Sequence, residues 1–200
     1  SRGLGDVYKR QDINNRINNI QPEETEREFL TIEELNILIK TPCDNDLLKR
    51  AALFSALTGL RFSDIQKLKW NDVQYIENDG YYIRFRQQKT KGSEFLPISE
   101  QAHQLMEKSD NLENSVFEGL KYNAHRLSAL SNWIKNAKIT KKITFHCFRH
   151  TYATTQLSSG TDVMTISKML GHREVKTTQI YAKIIDEKKR EATNKIKLDF

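Results

Sequence analysis

VQYIENDGYYIRFRQQ, residues 73 to 88, decides the fold. β-Branched and aromatic residues stand on both sides of Asn78-Asp79-Gly80, a triplet whose Asn and Gly tolerate the left-handed backbone of a tight turn. Two short strands folded back on each other are therefore predicted. KTKG, residues 89 to 92, offers a second turn before the β-rich run SEFLPI at 93 to 98. The expected unit is a three-stranded antiparallel meander with Lys89 near its second turn.

On both sides of the meander the apolar period becomes helical. Thr31 and Glu34 form a capping box ahead of Ile32, Leu35, Leu38 and Ile39. Asp46 is positioned to cap LLKRAALFSAL, which Gly59 ends, and Ser63 to cap a short helix reaching Leu68. Further helices are expected at 99–109, 122–137, 144–158 before Gly160, and 162–170 before Gly171. A last one starts near Thr177 and carries Tyr181. The fold class is thus mainly α with a small three-stranded antiparallel β-sheet, an α+β arrangement.

The bulk composition agrees with a globule. The 200 residues can bury a sizeable core, and 38% hydrophobic with 29% charged residues excludes a disordered chain. Lys and Arg number 32 against 26 acidic residues, so the net charge of +6 suits a polyanionic partner such as nucleic acid. Cys43 and Cys147 are too few for a disulfide scaffold and form no CxxC pair, so a reducing cytoplasmic home is expected. No run of about 20 apolar residues and no signal core is present.

Residues 1–11, SRGLGDVYKRQ, lack apolar periodicity, and DVYKRQ reads as a translated sequencing-library adapter, so this segment is set aside as an assembly scar. Residues 12–28 are polar and acidic and read as a linker, which leaves 29–200 as the folded domain.

Four short segments carry candidate chemistry. In FHCFRHT, 145–151, His146 and Arg149 are three apart and leave one helix face, where a planar guanidinium and a titratable imidazole can meet one anion. In TGLRFSD, 58–64, Arg61 follows the glycine that ends an apolar helix, and Asp64 is available as its counter-charge. In QQKTKG, Lys89 can reach across a groove from a hairpin tip. In GHREVKTTQIYAK, 171–183, His172 precedes Tyr181 by nine positions. Each segment alone also fits a solvated helix face, a surface ion pair, a tip lysine or a half-buried tyrosine. His150 invites comparison with a metal pair, but the sequence offers no third ligand, and packing or capping is the expected role; Cys147 is expected to be buried and inert.

Taken together, TGLRFSD, QQKTKG, HCFRHT and LGHREVKTTQIYAK resemble, in order and rough separation, the catalytic motifs of the tyrosine recombinases, the phage-integrase-like family. The resemblance covers about residues 29 to 190 and corresponds to the C-terminal catalytic domain, with the DNA breaking-rejoining fold. It implies that Arg61 and Arg149 are the catalytic arginines, Lys89 the sheet lysine, His146 and His172 the catalytic histidines, and Tyr181 the nucleophile. Asp64 stands where Glu is frequent and Phe148 where Leu is usual; neither changes a catalytic group. Members usually carry a helical core-binding domain upstream, so residues 12–28 are expected to be the linker from it.

The implied activity is site-specific DNA recombination without metal, ATP or cofactor, in the service of a phage or conjugative mobile element. The implied partners are double-stranded DNA, three further copies in a homotetramer on DNA, and accessory DNA-bending or directionality proteins, with a nucleoid-associated location. A phenol with pKa near 10 needs its proton removed before it attacks phosphorus. His146 is the expected general base and Lys89 the expected general acid for the leaving alkoxide, with Lys91 in reserve. Two alternatives stay open at this point: topoisomerase IB-like relaxation by the same intermediate, and a DNA-binding module that cuts nothing.

Overall fold

The computed structural model describes residues 28–86, 93–172 and 175–181. The expectations for residues 1–27, for 87–92 with Lys89 and Lys91, and for the tail from 182 onward lie outside the described residues. In chain order the elements are α1 (Ile32–Lys40), α2 (Asp46–Thr58), α3 (Phe62–Lys67), a 3-10 turn (Trp70–Asp72), β1 (Val73–Ile76), β2 (Gly80–Arg86) and β3 (Ser93–Ile98). They continue with α4 (Glu100–Gln104), α5 (Ala124–Asn136), α6 (Phe145–Ser158), α7 (Val163–Met169) and a second 3-10 turn (Val175–Tyr181). The mainly helical fold with one small antiparallel sheet is the one expected.

Local chemistry starts and stops most of these elements. The Thr31 side chain accepts from the Glu34 amide at 3.2 Å while the Glu34 carboxylate accepts from the Thr31 amide at 2.8 Å, the reciprocal box read in the sequence. α2 starts one residue earlier than expected, with Asn45 as its cap, accepting from the Leu48 amide at 2.8 Å. Asp46 instead lies in the first turn and pairs with Arg50 at 2.7 Å. α3 has Arg61, not Ser63, at its N-cap position and makes no side-chain cap there. α4 ends at Gln104, earlier than its apolar pattern implied, and α5 is capped by Asn123. The element carrying Tyr181 is a 3-10 turn that starts at Val175.

The sheet has the order β1-β2-β3, with Ile83 paired to Val73 on one side and Leu96 on the other. Ile83 and Leu96 are buried, whereas Phe95, next to Leu96, is exposed, as the two-residue period of a half-buried sheet requires. Asn78 and Gly80 both take positive φ in the turn between the first two strands.

Two helices form the centre. α2 and α6 are buried along most of their length and pack on each other. Buried hydroxyls would be costly unless bonded. Thr58, Thr151 and Thr154 each donate to a carbonyl one turn back, and Ser55 donates to the Leu60 carbonyl. Around this pair sit Phe54, Phe117, Trp133 and Phe148, each contributing about 1.5–3 kcal/mol on burial. The Leu30 amide donates to Thr151 Oγ1 at 2.9 Å, fastening the entering chain to α6. Among the described residues no helix is long and apolar enough to cross a membrane.

Candidate active site

Residues 146, 149, 150 and 153 of α6 share one helix face by their spacing. His146, near the open end, is exposed, while Arg149, His150 and Ala153 are buried. A buried guanidinium needs acceptors, and Arg149 has two: it donates from Nη1 to the Gly59 carbonyl at 2.6 Å and from Nη2 to the Leu170 carbonyl at 2.7 Å. Gly59 caps α2 and Leu170 caps α7, so both acceptors lie at helix C-termini, where the backbone dipoles favour a cation.

Gly59 is required there for two reasons. Its φ is +72°, and a Cβ on it would lie 2.6 Å from a ring carbon of Tyr152 and 2.8 Å from a methyl of Leu170. The residue that turns the chain toward Arg61 therefore also presents its carbonyl to Arg149. Arg61 remains exposed, and its ion pair with Asp64 is long, at 3.9 Å. A surface ion pair is the bland reading of Arg61; at this separation and exposure it contributes at most about 1 kcal/mol.

Burial pushes the Arg149 guanidinium down to about 10, and the neighbouring Arg61 charge pushes in the same direction, whereas Tyr181 and Asp64 oppose the fall. Arginine stays charged at neutral pH even so. Its environment is a desolvated cation beside a second cation, a site that an anion would stabilise. The same interactions place Arg61, Arg149 and Tyr181 in one electrostatic neighbourhood.

Tyr181 is only 5% exposed and packs with Tyr152, Ala153, Leu157, Ile166 and Leu170. Its hydroxyl lies 2.7 Å from Nδ1 of His150 in a buried hydrogen bond whose donor depends on the His tautomer. The His150 ring meets the His146 ring edge to face, with centroids 4.5 Å apart. His172 Nδ1 is hydrogen-bonded to Thr178 Oγ1 at 3.0 Å, and Thr178 is fully buried three positions before Tyr181. Thus His172 fastens the turn that carries the tyrosine.

Aromatic contacts join the segments that hold Arg61 and His146. Phe62, next to Arg61, meets Phe145, next to His146, edge to face at 4.9 Å. With Tyr122, Thr144 and His146 they line a cleft of about 130 Å³.

The structure therefore gives Arg149 two backbone acceptors and charge interactions with Arg61 and Tyr181, sets the His146 ring edge to face against the histidine that bonds Tyr181, and ties His172 to the tyrosine's turn. Lys89 lies outside the described residues. His150 is the residue that sequence reasoning assigns to packing: its ring is buried, but its nitrogen bonds the candidate nucleophile. Its position four after His146 and one after Arg149, on their face of the helix, is the one signal in the sequence. Cys147 is buried as expected, its sulfur accepting from the Thr144 amide at 3.3 Å.

Residues 28–188 match the model of the phage integrase family, most of the chain and all of the site. The chain belongs to the phage integrase family. Among its curated relatives in that family, a tyrosine recombinase of Thermosipho africanus is 29% identical over 178 residues, covering 84% of this chain and 62% of the relative. The tyrosine recombinase XerA of Pyrococcus horikoshii is 32% identical over 178 residues, covering 84% of this chain and 61% of the relative. This phage integrase family chain thus spans about three-fifths of the length of these two relatives. A solved XerA recombinase superimposes with TM-score 0.68 at 23% identity, over 90% of this chain and 68% of that one. The catalytic domain of bacteriophage HP1 integrase does so with TM-score 0.58 at 23% identity, over 80% and 89%. These likenesses establish the shared fold.

Proposed function

We propose that this chain is the catalytic portion of a site-specific DNA recombinase that cleaves and rejoins strands through a 3′-phosphotyrosyl intermediate, in the service of a mobile element. The observation that carries the reading is the buried guanidinium of Arg149, held by two helix-end carbonyls within the charge field of Arg61 and Tyr181. The net charge of +6 supports a polyanionic substrate. Double-stranded DNA is the partner that fold relatives favour, since XerH was solved on its difH substrate and the Tn1549 transposon integrase on transposon right-end DNA.

In this reading the Tyr181 oxygen attacks a backbone phosphorus, the bond to the 5′-oxygen breaks, and the phosphodiester energy is kept in the tyrosyl ester. A second 5′-hydroxyl then reverses the step without ATP. Negative charge grows on the phosphoryl oxygens in the transition state, and Arg61, Arg149 and His172 stabilise it; one such preorganised donor is worth roughly 10²–10³ in rate. Lys89 protonates the departing 5′-oxygen. Four copies assemble on DNA in the whole protein, with accessory DNA-bending or directionality proteins setting the direction of exchange, at the nucleoid. Relatives named as recombinases favour strand exchange over topoisomerase-type relaxation.

The test is incubation of the chain with nicked duplexes in EDTA, followed by denaturing electrophoresis. A covalent adduct that disappears in Tyr181→Phe, while DNA binding is retained, is the expected result. Binding without any adduct from the unaltered chain would leave a DNA-binding module in place of the enzyme.

A further inference from the structure

We propose that His150 takes the proton of Tyr181 when the tyrosine attacks. This rests on the recombinase reading above and names the base within it. Nδ1 of His150 is 2.7 Å from the phenol oxygen, inside the range for direct proton transfer. His146 is exposed at the start of α6 and meets the His150 ring edge to face.

The surroundings of the pair suit a base that works only on this hydroxyl. Both residues are 5% exposed, so bulk water does not compete for Nδ1. The backbone of His150 is anchored in the middle of α6, with Thr154 donating to its carbonyl at 3.0 Å. Ala153, one turn further on the same face and fully buried, leaves room for the tyrosine ring against the helix. A larger side chain there would displace the phenol from the imidazole.

His150 enters the step as neutral imidazole with its proton on Nε2 and a lone pair on Nδ1. The Tyr181 O–H bond breaks, its electron pair forms the new O–P bond, and the proton goes to Nδ1. The P–O5′ bond breaks with its electrons on the 5′-oxygen, which takes a proton from the general acid of the recombinase reading above. The imidazolium is left beside the new anionic phosphodiester, and returns its proton to the tyrosine oxygen when the strand is rejoined.

The experiment uses a pool of duplexes of randomised sequence, each with one 5′-bridging phosphorothiolate, alongside the same pool with ordinary phosphate. A departing thiolate needs no proton, so this probe removes the demand for an acid and keeps the demand for a base. His150→Ala and His150→Asn should each lower Tyr181-linked adduct formation by about 10²-fold or more on both pools, with melting curves showing that both fold. Asn can keep a hydrogen bond to the phenol but cannot accept its proton. Recovery of adduct formation to within about threefold of the unaltered chain in His150→Asn would overturn the proposal, because a positioning role alone would then suffice. An adduct that still depends on Tyr181 but is indifferent to His150→Ala would overturn it and leave the recombinase reading standing. Without DNA, ¹⁵N spectra of the ring should show an unprotonated Nδ1 at about pH 7.5 whose shift changes in Tyr181→Phe. A protonated Nδ1 in that spectrum would overturn the proposal whatever the adduct assay gives.

Discussion

Arg149 donates a hydrogen bond to the carbonyl oxygen of Gly59 across 90 positions of sequence, at 2.6 Å. Together with the bond to Leu170 it makes one guanidinium the link between the ends of α2 and α7 and the face of α6. A charge buried this way ties three helices together.

Arg149→Lys and Arg61→Ala should therefore separate folding from chemistry. A lysine has no planar fork to bridge both carbonyls, so Arg149→Lys should lower stability by about 1–3 kcal/mol in denaturant melts. Arg61 is exposed and weakly paired, so Arg61→Ala should change stability by less than about 0.5 kcal/mol. Both should reduce adduct formation by on the order of 10²-fold. A loss under threefold in Arg61→Ala would reduce that residue to its ion pair with Asp64.

Gly59→Ala should lower stability by about 1–3 kcal/mol and weaken cleavage, because the added methyl meets Tyr152 and Leu170 and the positive φ is strained. Gly80→Ala has open space around its Cβ, so only the backbone strain at φ +92° should register. Thermal melts of the two variants provide the comparison, and equal losses would mean that the close approach at Gly59 has no energetic weight.

Thr178→Val keeps the shape of the side chain and removes the bond to His172. At about 1 kcal/mol for such a bond, single-turnover adduct formation should fall about fivefold, with DNA binding unchanged. An unaltered rate would detach His172 from the placement of Tyr181.

Burial pushes the Tyr152 hydroxyl up to about 12. Between pH 10 and 12 the unfolded phenol ionises and the folded one does not, so the unfolded state binds fewer protons and stability falls as pH rises. The contribution is complete below about pH 10. Tyr152→Phe should flatten this alkaline loss, by about 1–3 kcal/mol across the window, in melts recorded against pH.

DNA affinity should fall steeply with salt, because each phosphate neutralised releases condensed counterions. Arg61→Ala should lower the slope of log affinity against log salt by about one. A flat response in the unaltered chain would argue against contact with the phosphate backbone.

Local rules make much of this protein legible in its sequence. The box at Thr31 and Glu34, the turn at Asn78 and Gly80, and the stop at Gly59 depend on residues within a few positions of each other, and each appears where its chemistry places it. One-residue differences, such as Asn45 capping in place of Asp46, arise because both side chains can cap and the first packed turn of α2 selects between them. Arg61, Arg149, His172 and Tyr181 are candidates through the resemblance of their motifs, each a contiguous stretch, to the phage integrase family. Tertiary structure alone decides their contacts. The acceptors of Arg149 are backbone carbonyls at Gly59 and Leu170, and a carbonyl carries no residue identity for spacing to reveal. That His150 reaches Tyr181, 31 positions away, follows from how the second 3-10 turn packs against α6 and α7, a relation that no local pattern encodes.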